Sequence, residues 1–179
     1  MKVHLAKTPT LQGSVIAIGA FDGVHRGHQA VIRETVKQGR IYKFPSVVYT
    51  FDPPPRCYFQ GAHMLTPIDE KLHRIAELEI DHIVVARFDE SYITRSSASF
   101  IKELARLNPV EIIVGKDFRF GRNREGDTRL LSKYFQVRVI EPVCCSGGTV
   151  ISSTRIRKLV SQGEIKESIS LLGWSHVNS

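Results

Sequence analysis

Cysteine is scarce in this chain and poorly spaced for chemistry. Cys57 stands alone and Cys144 and Cys145 are adjacent, so no C-x-x-C pair offers a zinc site or a redox couple, and reduced thiols without a role are expected. Long apolar runs are also missing. Every such run has the length of a strand, far short of the roughly 20 residues that cross a bilayer, and the polar opening from Met1 to Gln12 does not read as a secretory leader. A soluble, cytoplasmic protein without a membrane partner is expected. Neither G-x-G-x-x-G nor G-x-x-x-x-G-K-[ST] occurs, which removes the usual dinucleotide fingerprint and the P-loop. Acidic residues are the minority charge, 18 against 25 Lys and Arg, and the formal net charge of +7 favours an anionic partner. The basic residues lie beside glycines and strand ends rather than in a stripe with interleaved aromatics. That distribution favours a phosphorylated small molecule over nucleic acid.

The length, 179 residues, suits one domain with a full core and is too short for two. Apolar runs at 15–18, 46–51, 82–88, 110–114 and 137–140 read as strands, and segments of helical spacing fall between them and after them. The first helix is expected from His25 to Lys37 with Gly39 as its stop, and three prolines, Pro53 to Pro55, are expected to hold an extended loop. Alternating strands and helices give an α/β fold, a parallel five-stranded sheet with helices on both faces. In such sheets ligands bind beyond the carboxyl ends of the strands. The stretches rich in glycine, proline and chemistry all follow an apolar run, so 21–28, 52–59, 115–121 and 152–157 are predicted to converge on one rim.

The densest of these stretches is Ser14 to Gln29, SVIAIGAFDGVHRGHQ. A buried strand feeds a turn containing Gly19, Gly23 and Gly27, and a helix opens at His25. Such a turn aims free backbone N–H groups and the positive helix end at one spot, which suits a phosphate. Imidazole donates well to an oxygen whose charge grows in a transition state. Taken alone, H-x-G-H reads by default as a surface or metal-binding histidine pair, and Ser152-Ser153-Thr154 before a helix is most often a plain N-cap.

The segment Phe21-Asp22-Gly23-Val24-His25-Arg26-Gly27-His28 resembles the H-x-G-H signature of the nucleotidyltransferase superfamily, in the form found in bacterial FAD synthetases. Ile151-Ser152-Ser153-Thr154-Arg155-Ile156-Arg157 is similar to the second signature of that superfamily, and Val114 to Gly121 to the V-G-x-D/N-F-x-F-G segment. Asp52-Pro53-Pro54-Pro55 resembles the F-x-P-x-P loop, with Pro54 where His is common, and Ala20 stands where Asn is frequent. The resemblance implies a Rossmann-like nucleotidyltransferase fold and transfer of AMP from ATP to FMN, forming FAD and pyrophosphate with Mg²⁺. It implies His25, His28, Asp117 and Arg157 as catalytic residues and Asp117 as the metal ligand. It places ATP on Gly19, Phe21, Asp22, Gly23, Gly27, Ser152, Ser153, Thr154 and Arg157, and FMN on Pro53, Pro55, Phe59, Phe118 and Phe120. A transferase with another phosphate acceptor and a non-catalytic flavin- or nucleotide-binding paralogue share parts of these motifs and remain open here. Bacterial FAD synthetases usually continue into a riboflavin kinase barrel after a segment like Ser168 to Gly173. The sequence ends soon after it, so a single adenylyltransferase domain over 1–179 is expected. The remaining histidines, His4, His63, His73, His82 and His176, have no partners at informative spacing and read as structural.

Overall fold

Strand β2 (Ser14–Ile18) is buried at all five residues and sits in the middle of the sheet. The computed structural model describes residues 1–5 and 7–174, so His176 and the rest of the segment 175–179 lie outside the described residues. In chain order the other elements are β1 (Lys2–Leu5), α1 (Arg26–Tyr42), β3 (Ser46–Asp52), α2 (Pro55–Gln60), α3 (Ile68–Ala76) and β4 (His82–Arg87). They continue with α4 (Glu90–Ile93), α5 (Ser97–Ala105), β5 (Pro109–Gly115), β6 (Arg119–Phe120), β7 (Gly126–Asp127) and α6 (Thr128–Leu131). The chain closes with β8 (Val137–Ile140), α7 (Ser153–Ser161) and α8 (Ile165–Leu172).

The main sheet has six strands in the order β1-β4-β3-β2-β5-β8, every pair parallel, not the five expected. The additional strand is β1. It runs beside β4 with Lys2 opposite His82, and its two apolar residues are too few to stand out from the polar opening. Strand order reverses between β2 and β5. The crevice beyond their carboxyl ends is where an open α/β sheet binds its ligand.

Alternation along β2 feeds two cores. Val15 and Ala17 join Val48, Ile83 and Ile113 under Val31, Ile32 and Val36 of α1 and Ile75 of α3. Ile16 and Ile18 join Val47, Val84, Ile112 and Val114 under Phe100, Ile101 and Leu104 of α5. Helices cover both faces, which is why the strands read as unbroken apolar runs.

Two local expectations are corrected. Helix α1 passes through Gly39 and ends at Lys43, which takes the left-handed cap at φ 58°. A Cβ on Gly39 would lie 3.0 Å from the Phe44 carbonyl oxygen, so this glycine permits a close return of the chain rather than stopping the helix. The proline segment is not wholly extended, because Pro55 opens α2 at the first-turn position where a missing N–H costs nothing.

Candidate active site

The turn after β2 is held in an unusual backbone. Phe21, Gly23 and Val24 have φ of 47°, 87° and 40°, and for Phe and above all the β-branched Val this left-handed region is strained. Surrounding groups hold it in place. The Gly23 N–H donates to Thr66 Oγ1 at 3.0 Å, and the Val24 carbonyl accepts from Gln29 Nε2 at 3.0 Å and Trp174 Nε1 at 2.9 Å. Asp22 is buried, and its carboxylate accepts from the backbone N–H groups of Leu65 and Thr66 and from Arg157. The side chains of Phe21 and Asp22 are thus turned into the protein, where they shape the turn.

His25 caps α1, and its Nδ1 accepts the His28 N–H at 3.3 Å, which leaves the ring proton on Nε2. The two imidazoles stack with centroids 3.5 Å apart and 20° between planes, and Phe21 meets His28 edge-on. Burial pushes the His25 pKa down to about 4. Burial, reinforced by His25 and Lys71, holds that of His28 well below its ordinary value of 6.5. Both rings are therefore neutral hydrogen-bonding groups at pH 7. The Nδ1 of His28 is buried without a hydrogen-bond partner among the described residues.

Helix α7 begins against this pair. A Cβ on Gly27 would lie 3.2 Å from the His25 ring and 3.6 Å from the Ile151 carbonyl oxygen, so the glycine lets the lead-in to α7 come close. Ser152 is the N-cap, its Oγ accepting the Arg155 N–H, and Ser153 Oγ donates to the Asp22 carbonyl at 2.8 Å. The exposed Arg56 of α2 donates to Thr154 Oγ1. Arg157 donates through Nε to the His63 carbonyl at 2.7 Å and through Nη2 to Asp22. Two helix N-termini thus open side by side, an arrangement that favours anions.

The predicted stretches are joined to different degrees. Contacts tie 21–28 to 152–157 and 52–59 to 152–157. Segment 115–121 leaves β5 beside β2 but makes no hydrogen bond to the other three among the described residues. Phe120 is buried against Phe100, Phe118 stacks half-buried on Phe120, and Asp117 is exposed. Gly19 is tight against the Phe21 ring, which a Cβ would meet at 3.0 Å. Pro53 and Pro55 are half-buried at the base of α2, whereas Phe59 is 62% exposed and packs edge-on against Phe88 and Tyr58. The described cysteines are free thiols, Cys57 with its Sγ 3.9 Å from Arg157. His4 and His82 make a 3.0 Å contact at the far edge of the sheet.

Sequence reasoning missed Lys71, Thr66, Gln29 and Arg56. Lys71 carried a usable signal, since a lysine on the apolar stripe of Ile68, Leu72 and Ile75 is out of place on a solvated helix face. The contacts of the other three depend on tertiary packing and left no mark in spacing.

Fold and site together define a nucleotidyltransferase-type α/β enzyme, with a histidine pair at the topological switch point and a serine- and arginine-bearing helix beside it. The comparisons narrow this. The family model for FAD synthetase matches residues 7–155, and the chain belongs to that family. A protein of Geobacillus thermodenitrificans, provisionally named a bifunctional riboflavin kinase/FMN adenylyltransferase, is 59% identical over 97% of this chain and 98% of its own length. The bifunctional riboflavin kinase/FMN adenylyltransferase of Escherichia coli K12 is 35% identical over 96% of this chain, which spans only 58% of that protein. A crystal structure of a Streptococcus pneumoniae protein named as a macrolide-efflux protein superposes with TM-score 0.84 at 28% identity, covering 96% of this chain and 61% of that one. Pantoate-beta-alanine ligase from Francisella tularensis shares the fold at TM-score 0.52 and 15% identity, covering 90% of this chain and 79% of that one. Among the described residues no helix is long and apolar enough to cross a membrane.

Proposed function

We propose that this chain transfers the AMP moiety of ATP to FMN, forming FAD and pyrophosphate. The observation that carries this reading is the stacked, uncharged pair of His25 and His28 at the start of α1, set against the start of α7. A phosphate oxygen of FMN attacks the α-phosphorus of ATP, the bond from that phosphorus to the bridging oxygen breaks, and pyrophosphate leaves with the electron pair. FMN arrives already ionised, so no general base is required, and catalysis consists of positioning and charge stabilisation. His25 Nε2–H and the His28 ring donate to the α-phosphate oxygens as their charge grows. The first-turn amides of α7 and the side chains of Ser153, Thr154 and Arg157 hold the departing phosphates. Pro53, Pro55, Phe59 and Phe118 form the apolar surface for the flavin ring.

Magnesium fits this site as a companion of the triphosphate. Among the described residues no three His, Cys, Asp or Glu side chains gather as a metal cage, yet a hard cation that keeps most of its waters needs only one or two carboxylates beside substrate oxygens. Asp117, exposed at the rim, is the carboxylate that would hold it. When bound, Mg²⁺ neutralises negative charge on the phosphates.

Incubation of the purified 179-residue chain with FMN, ATP and Mg²⁺, followed by chromatographic separation of flavins, tests the reading. FAD is expected, and its absence would assign the chain to the non-catalytic binding proteins. We further propose that riboflavin in place of FMN gives neither FMN nor FAD, because the described residues form one α/β unit with no β-barrel among them.

A further inference from the structure

Lys71 lies on the buried stripe of α3 and is 0% exposed. A lysine is almost never placed so deeply without partners, because its charge loses the solvation of water. Its Nζ donates to the Phe51 carbonyl at 2.8 Å and to the Ala20 carbonyl at 3.3 Å. Phe51 is the penultimate residue of β3, Ala20 lies just beyond β2, and these strands are neighbours in the sheet. One amine therefore bridges the carboxyl ends of two central strands, immediately before the turn that carries the histidines. The Ala20 carbonyl also accepts from Thr50 Oγ1 at 3.0 Å, so this strand end is fixed from two sides.

We propose, building on the adenylyltransferase reading, that Lys71 is a positioning residue: its amine ties the ends of β2 and β3 together and so fixes the turn on which His25 and His28 stand. Packing alone does not account for it. A methionine fills the same space without desolvating a charge, and hydrophobic replacement of buried ions is often neutral or stabilising. Burial pushes the Lys71 pKa down, against the carboxylates of Asp52 and Asp22 and the Cys57 group, which act in the opposite direction. The titratable groups that face His28 are His25, at the N-cap of α1, and Lys71, from α3. Both disfavour a proton on its ring, in addition to burial.

The test compares wild type with Lys71→Met, which removes charge and donors at similar volume, and Lys71→Arg, which keeps charge but replaces the compact ammonium by a planar fork. Kinetics of FAD formation, NMR titration of the His28 imidazole and thermal unfolding are read on each. Lys71→Met is expected to lower kcat about tenfold or more, with the KM for ATP changed less than about threefold. Its His28 midpoint is expected to rise, because the repulsion from the Lys71 ammonium is removed. Lys71→Arg is expected to lower kcat while leaving that midpoint at the wild-type value. Wild-type kcat in the folded variants, or a lower melting temperature with kcat and midpoint unchanged, would overturn the proposal. If Lys71→Met does not fold, kcat of Lys71→Arg decides. A wild-type chain that makes no FAD would refute the adenylyltransferase reading instead, and the His28 midpoint would still show whether Lys71 acts on the turn.

Discussion

Arg157 of α7 donates its Nη2 to Oδ2 of Asp22 in the turn after β2, joining residues 135 positions apart. Both side chains are largely buried, Arg157 at 15% exposed and Asp22 at 3%. Under the proposed function the arginine serves both the phosphates and the turn itself. Arg157→Ala is expected to raise the ATP requirement and also to leave the Asp22 carboxylate short of its cation. Loss of one member of a buried pair costs about 3–5 kcal/mol, which for a chain of this size lowers the melting temperature on the order of 10 °C. Asp22→Asn/Arg157→Ala should recover part of that loss without restoring ATP affinity. A melting temperature unchanged in Arg157→Ala would show that the pair is not maintained in solution.

His28→Ala is expected to lower kcat about 100-fold or more with a much smaller effect on ATP binding, because a donor to the α-phosphate strengthens only as charge develops. Steady-state kinetics beside equilibrium ATP binding separate the two. Near-normal turnover would remove His28 from the chemistry.

Acid should destabilise the protein in a defined window. The His25 pKa falls from 6.5 in the unfolded chain to about 4 in the fold, so between these values the unfolded state binds the extra proton. The stabilising effect of the neutral buried ring is complete above about pH 6.5 and is lost as pH falls toward 4. By this shift it amounts to about 3 kcal/mol, and His28 contributes in the same direction. Denaturant unfolding across pH 4–7.5 should show this slope, and His25→Gln should flatten it. A stability profile level through this window would contradict the burial of the pair.

Two phenylalanines assigned together to the flavin should separate by experiment. Phe59 is mostly exposed on α2, so Phe59→Ala is expected to weaken FMN binding, leave ATP binding nearly intact and change stability little. Phe120 is 7% exposed against Phe100, so Phe120→Ala is expected to cost about 3–5 kcal/mol of stability. Fluorescence titration of FMN with thermal unfolding on both variants checks this. Equal loss of FMN affinity at unchanged stability would place both rings against the ligand.

Much of this arrangement was legible in the sequence because buried parallel strands write themselves as short apolar runs. Val15 to Ile18 and Val110 to Val114 could hardly be anything else. The strand of Lys2–Leu5 was not legible, since an edge strand four residues long buries too little to impose a pattern. The motif residues His25, His28, Ser153 and Arg157 were visible through the resemblance of their segments to the two family signatures. What their side chains do was not. Nothing in F-D-G-V shows that Phe21 adopts positive φ, or that the Asp22 carboxylate turns inward, because its partners Leu65, Thr66 and Arg157 lie more than forty positions away. Lys71 left a trace in its place on the apolar stripe of its helix, but the carbonyls it bridges, those of Phe51 and Ala20, come within reach only once that helix is docked.

The most direct measurement follows the phosphorus. ATP labelled at the α-phosphorus, incubated with FMN, Mg²⁺ and the purified chain, should place one label in each FAD formed, while label at the γ-phosphorus should appear only in pyrophosphate. Label from the γ-phosphorus in a flavin, or ATP consumed with no label in FAD, would contradict adenylyl transfer at the histidine turn.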